Sequence, residues 1–327
     1  MNILVVGGAG YIGSHMVKRL AHAGHRVVVL DNHLSGHARI ERYAQSVDGD
    51  VANPTLVREL LRAHAFDAVM HFASHIEVAE SVVDPGKYYA NNFAATLNLL
   101  QAMHETGVRR FIFSSTAAIY GNPQRTPIDE THPAAPINPY GRSKWMVEQV
   151  LADFASAHAL QYACLRYFNA AGADPDGEFG ECHEPESHLI PLVLRAASGR
   201  RDAITVFGRD YPTRDGTCER DYIHVSDLAD AHLAALDYLA AGGELRAFNL
   251  GTGIGHTVQE IIDSAHAVCA RPIQVRDASR RAGDPASLVA DPRLALRTLQ
   301  WKPRLSDLPT VLQHAWRWEL KCVQSPA

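Results

Sequence analysis

The segment Gly7-Gly8-Ala9-Gly10-Tyr11-Ile12-Gly13 constrains the fold more than any other. It follows an apolar run at residues 3–6 and precedes a stretch of helical period at 11–23. Glycines at that junction permit a tight turn, a close backbone approach to a ligand, and close packing of helix on strand. The free N–H groups and positive dipole end of the helix favour a pyrophosphate there. A second apolar strand covers 26–30, and Asp31 closes it 18 residues after Gly13. An acid in that place accepts the ribose 2′-hydroxyl and repels a 2′-phosphate. Asp31-Asn32, with no arginine directly following, favours NAD over NADP.

The same alternation continues. A helix is expected over 54–63 with Pro54 at its start, a strand over 68–72, a helix over 91–106 and a strand over 110–114. A helix over 140–157 and a strand over 162–167 follow. Apolar, β-branched strands alternating with helices mean an α/β fold, a doubly wound parallel sheet of Rossmann type. After Tyr167 the rhythm breaks. Residues 169–188 and 208–221 read as long polar loops, 222–239 as a helix and 247–250 as a short strand. Loops of that length are usually functional. The expected division is 1–168 plus about 222–252 for the dinucleotide, and about 169–221 plus 253–327 for a smaller mixed α/β substrate lobe.

Composition removes several classes. The 31 lysines and arginines against 36 acids leave a net charge of −5, so a nucleic-acid partner is not expected. Five cysteines stand at 164, 182, 218, 269 and 322 without a CxxC, which suits reduced thiols in a cytoplasmic protein. The 18 histidines include no HExxH and no close pair with an acid, so no metal site is expected. No cationic segment leads into an apolar one long enough for export or for spanning a membrane.

Tyr140-Gly141-Arg142-Ser143-Lys144 places a phenol and an ammonium on one helical face. Only five residues of the chain are lysine, which makes this pairing harder to meet by chance. A cation beside a tyrosine stabilises the phenolate, so the phenol can act as a base near neutrality. Upstream, residues 113–121 (Phe-Ser-Ser-Thr-Ala-Ala-Ile-Tyr-Gly) put hydroxyls at the carboxyl end of a strand, where ligands of open α/β sheets sit. Thr116 stands 24 residues before Tyr140.

These motifs, with Tyr88-Tyr89-Ala90-Asn91-Asn92, Leu165-Arg166-Tyr167-Phe168-Asn169, residues 207–213 and 215–225, Asn249-Leu250-Gly251 and residues 281–285, span nearly the whole chain. The chain resembles the extended short-chain dehydrogenase/reductases and, within them, the NAD-dependent 4-epimerases of UDP-hexoses. The resemblance implies reversible 4-epimerisation of UDP-glucose and UDP-galactose through a transient 4-keto sugar, with tightly bound NAD, by a homodimer. By the same resemblance Tyr140, Lys144 and Thr116 are catalytic. Gly7, Gly10, Tyr11, Ile12, Gly13, Asp31, Asn32, Asp50 and Val51 match cofactor-binding positions, as do Phe72, Ala73, Asn91, Ser114, Tyr140, Lys144 and Tyr167. Thr116, Asn169, His188, Leu189, Phe207, Arg220, Arg281, Asp284 and Leu288 match positions that hold the UDP-sugar. Ile76 replaces a lysine of some relatives and His188 an asparagine. A 4-epimerase of another UDP-sugar remains an alternative. A dehydratase would need acids beside Thr116, where Ala117-Ala118 stand, and a non-enzymatic NAD sensor would lack the tyrosine base.

Overall fold

The computed structural model describes residues 1–36, 39–281 and 284–324. Strand β1 (Asn2–Val6) sends Ile3 and Val5 into one apolar cluster and Leu4 and Val6 into another. Successive side chains of a strand leave on opposite faces, so β1 is covered on both. Helix α1 (Tyr11–His22) covers the first face with Met16, Val17 and Leu20. Strands β2 (Arg26–Asp31) and β3 (Gln45–Asp48) extend the sheet on one side. Helix α2 (Pro54–Ala63) starts on a proline whose missing N–H costs nothing there, and Asn53 accepts the N–H groups of Thr55 and Leu56.

The chain then crosses to β4 (Ala68–His71), on the other side of β1. Short helices α3 (Val78–Val83) and α4 (Pro85–Tyr88) run through a π-type turn, Tyr89–Ala94, into α5 (Ala95–Thr106). The helix expected over 91–106 therefore begins earlier. Strand β5 (Arg110–Thr116), helix α6 (Pro139–His158) and strand β6 (Gln161–Tyr167) follow.

Beyond β6 come β7 (Asn169–Ala171), α7 (Leu189–Ser198), β8 (Ile204–Phe207) and β9 (Glu219–His224). Then α8 (Val225–Ala240) packs on α1, and β10 (Arg246–Leu250) closes the sheet edge beside β6. Among the described residues the seven parallel strands run β10-β6-β5-β4-β1-β2-β3, so the order reverses between β1 and β4. A crevice opens at such a switch point.

One helix expectation is corrected. Residues 222–224 are not helical: they end β9, which pairs with β7 through Asn169–Tyr222, Ala170–Ile223 and Ala171–His224. The helix begins at Val225, with His224 accepting the Ser226 N–H. Two short strands also fall inside the polar loops, β7 at the start of 169–188 and the first residues of β9 at the end of 208–221.

The second region adds β11 (Gly255–Thr257), α9 (Val258–Cys269), β12 (Val275–Ala278), β13 (Ser287–Leu288), α10 (Arg293–Thr298) and α11 (Leu308–Gln324). Strands β7, β11 and β13 gather on β9, while β12 pairs with β8. Val193, Ile261, Ala265 and Leu312 form a core of their own there. The seam to the large sheet is polar: Lys18 of α1 reaches Asp174 and Asp176, and the Tyr11 hydroxyl donates to the Gly172 carbonyl at 2.7 Å. Among the described residues no helix is long and apolar enough to cross a membrane.

Candidate active site

A cleft of about 960 Å³ lies at the carboxyl ends of the strands. Its first wall is the glycine turn. Gly7 has φ +82°, and a side chain on it would meet the Ala73 backbone nitrogen at 2.5 Å. A side chain on Gly13 would meet the Gly7 carbonyl oxygen at 2.1 Å. Both positions exclude anything larger than glycine, and so hold the start of α1 open to a ligand. Gly10, Tyr11, Ile12, Phe72 and Ala73 line the cleft beside them.

Asp31 lies at the end of β2 and lines the cleft. Its Oδ2 accepts the Ala9 N–H at 2.8 Å and its Oδ1 the His33 N–H at 2.9 Å. Two backbone donors fix the carboxylate, and its remaining lone pairs are left for a hydroxyl. The Asn32 amide donates to Asp50 Oδ2 at 2.9 Å. Asp50 itself does not line the cleft; Asn32 and Val51 do.

The inner end of the cleft holds Ser114, Thr116, Tyr140, Lys144 and Tyr167. Local sequence brings them together. Asn138 accepts the Gly141 N–H at 2.8 Å and starts α6, with Pro139 behind it. Gly141 packs so closely on the turn after β5 that a side chain there would lie 2.6 Å from the Ala118 carbonyl. That contact sets Tyr140 beside Thr116. Lys144, one turn along, is buried, and donates to Ser74 Oγ at 2.6 Å and to the Ser114 carbonyl at 2.8 Å. Its Nζ lies 4.9 Å from the centre of the Phe113 ring.

Burial penalises the charged form of each group. It lowers Lys144 to about 7. It raises Tyr140, against which a hydrogen bond with the Thr116 hydroxyl pulls down and the Glu77 charge pushes up. Asn91 lines the cleft and donates to Asn92, which in turn grips the His75 backbone through both its N–H and its carbonyl.

At the outer end, Asn169, His188, Leu189 and Leu288 line the cleft. The Asn169 amide donates to the Asp221 carbonyl at 2.9 Å. Phe207, Arg220, Arg281 and Asp284 do not line it; they gather just beyond. Arg220 pairs with the Asp284 carboxylate and donates to the Pro285 carbonyl at 2.9 Å. The Arg281 guanidinium stacks over Phe207 at 3.9 Å. The two groups meet at the β9–β13 pairing, where Leu288 stands opposite Arg220. Ala282 and Gly283, between Arg281 and Asp284, lie outside the described residues.

Sequence reasoning missed Ser74, the partner of Lys144, and the residues around His188. It expected no close histidine–acid cluster, and that is corrected. Glu181, His183, Glu186 and His188 bring one donor atom each within 4.8 Å of one another. The spacing Glu-x-His-x-x-Glu-x-His was the available signal. The Glu181 carboxyl is held at about 2, its burial outweighed by the neighbouring His188 and His183.

The family model described as "NAD dependent epimerase/dehydratase family" matches residues 3–251. The chain belongs to this family. It is 52% identical to the UDP-glucose 4-epimerase of Rhizobium meliloti (strain 1021), over 97% of this chain and 96% of that one. Among solved structures, the UDP-glucose 4-epimerase of Brucella ovis in complex with NAD is 49% identical with a TM-score of 0.95, covering 97% of each chain. That of Bifidobacterium longum in complex with NAD+ and UDP is 37% identical with a TM-score of 0.93, covering 98% of each. The doubly wound parallel sheet expected from the sequence is the fold of these structures.

Proposed function

We propose that this chain is a UDP-glucose 4-epimerase, interconverting UDP-glucose and UDP-galactose with NAD held in the cleft. One observation carries the reading. Thr116, Tyr140 and Lys144 meet in a single cleft that begins at the glycine turn with Asp31 and ends at His188 and Leu288. It therefore offers a dinucleotide wall, a proton-transfer centre and a further pocket in sequence.

The residues present fit NAD. Gly7 and Gly13 leave the close approach that a pyrophosphate needs, Asp31 suits a 2′-hydroxyl, and Lys144 lies deep beside Ser74 and Ser114. When bound, NAD supplies the acceptor and later the donor of the sugar C4 hydride. Tyr140, as phenolate, takes the proton of the sugar 4-hydroxyl and later returns it. Thr116 holds that oxygen by a hydrogen bond. The cation of Lys144 lowers the cost of the phenolate in a place where burial alone raises it. Ala117-Ala118 beside Thr116 offer no acid for a dehydration at C5 or C6.

The reading extends to the molecule. Residues 1–168 with about 222–252 hold the cofactor; about 169–221 with 253–327 hold the UDP-sugar, its diphosphate facing His188, Arg220 and Arg281. The protein is a cytoplasmic homodimer serving galactose metabolism. An exposed apolar set supports the dimer: Val78, Val82 and Val83 of α3 stand beside α6, which exposes Met146.

The test is to incubate the purified chain with UDP-galactose, without added NAD, and look for UDP-glucose. Conversion is expected. A dehydrated or oxidised product, or none from protein shown to contain NAD, overturns the reading.

A further inference from the structure

We propose that Glu181, His183, Glu186 and His188 form a binding site for a divalent cation of the zinc class. The four lie on the segment that enters α7, at the rim of the cleft, where His183 and His188 line its wall. The His183 Nδ1 is 3.2 Å from Glu181 Oε1 and 3.9 Å from Glu186 Oε1, and the His188 Nδ1 abuts the same Glu181 oxygen. Ligands on a tetrahedral zinc at ~2.0–2.1 Å stand about 3.3 Å apart; the His183–Glu181 separation matches that, and all four donors lie within 4.8 Å of one another. Two imidazoles and two carboxylates are a donor set that suits zinc.

Two further observations point to a ligand. The Glu186 Oε2 is buried without a hydrogen-bond partner. Such groups are rare unless something satisfies them. The Glu186 side chain is 1% exposed and that of Glu181 5%. Two carboxylates so deeply buried need positive charge. The guanidinium of Arg195 stops 3.8 Å from Glu186 Oε2 and is engaged with Glu184 and the His183 carbonyl. A divalent ion supplies positive charge at Glu186 Oε2, which Arg195 does not reach, and joins all four side chains.

The ion would fix the segment 181–188 and the ring of His188. With its Nδ1 on the metal, the other ring nitrogen of His188 keeps its proton and remains a donor. The site then holds one edge of the cleft in place, without a part in proton or hydride transfer.

The experiment measures metal binding by the full-length protein, as purified with its NAD. The protein is stripped with a chelator, and zinc binding is followed by competition with a chromogenic chelator. One zinc per chain is expected, with Glu186→Gln and His183→Asn each weakening it at least tenfold and the pair abolishing it. Thermal unfolding with and without zinc is the second readout. Zinc should raise the midpoint of the wild type and not that of the double variant. Circular dichroism of the metal-free variants shows that they fold. Binding of equal strength in wild type and double variant places the zinc on other histidines and overturns the proposal, as does no binding by the wild type. Neither result depends on epimerase activity.

Discussion

At the scale of single residues the reading rests on Tyr140. Replacing it with phenylalanine keeps the ring and removes the proton acceptor. Loss of a general base costs about 10²–10⁴-fold in rate, and the NAD content should stay unchanged. A variant retaining more than about a tenth of the wild-type rate removes Tyr140 from that role. The pH dependence follows from the same pair. Burial raises Tyr140 and its hydrogen bond with the Thr116 hydroxyl pulls it down, and the phenolate gains with rising pH. In the NAD-loaded enzyme kcat/KM should climb as pH rises through the tyrosine's titration. Lys144→Met removes the cation and should move that climb to higher pH; a profile that stays in place contradicts the role of Lys144. Leu288 gives a third residue-scale expectation. It lines the outer cleft with no hydrogen-bonding group. An N-acetyl group pressed on it would bury an amide with little to satisfy it, at a cost of about 1–3 kcal/mol. Plain UDP-hexoses should be preferred, and Leu288→Ala should raise the relative rate on UDP-N-acetylglucosamine. Equal use of both sugars by the wild type, or an unmoved ratio in the variant, means that Leu288 does not gate the pocket.

At the scale of elements, legibility followed how local the determining forces are. Strands β1, β2, β4, β5 and β6 were readable because apolar runs buried on both faces need no partner to be recognised. Strand β3 was not: Gln45-Ser46-Val47-Asp48 is a mostly exposed edge, made a strand only by pairing with β2. The end of β9 was mistaken for helix because its partner β7 lies some fifty positions upstream, Asn169 against Tyr222. The site divides in the same way. Tyr140 and Lys144 are one helical turn apart and announce themselves. Ser74 meets Lys144 across 70 positions, and the Glu181–His188 group matches neither a helical nor a strand period. Strand β9 also carries Arg220, set opposite Leu288 at the cleft's outer end. Arg220→Ala and Arg281→Ala should each weaken UDP binding as well as UDP-sugar binding, since a charge-assisted contact to phosphate is lost. Unchanged UDP affinity by calorimetry in both variants removes the diphosphate from this corner.

At the scale of the whole molecule, the sheet and the smaller lobe are joined by the polar seam of Tyr11 and Lys18 on Gly172, Asp174 and Asp176. The cleft beside that seam has to serve both halves of a reversible cycle. The exposed valines of α3, with Val82 63% and Val83 86% exposed, are the face assigned to a second copy. Val82→Asp with Val83→Asp should convert a dimer to monomers by light scattering, whereas a wild type that is already monomeric contradicts that assignment. The central claim is that hydride leaves C4 of the sugar and returns to C4 within one cleft. It is tested most directly with UDP-galactose deuterated at C4, given to the protein without added NAD. The account predicts UDP-glucose with the deuterium still at C4. Loss of the label to solvent, or its appearance at another carbon of the product, would contradict it.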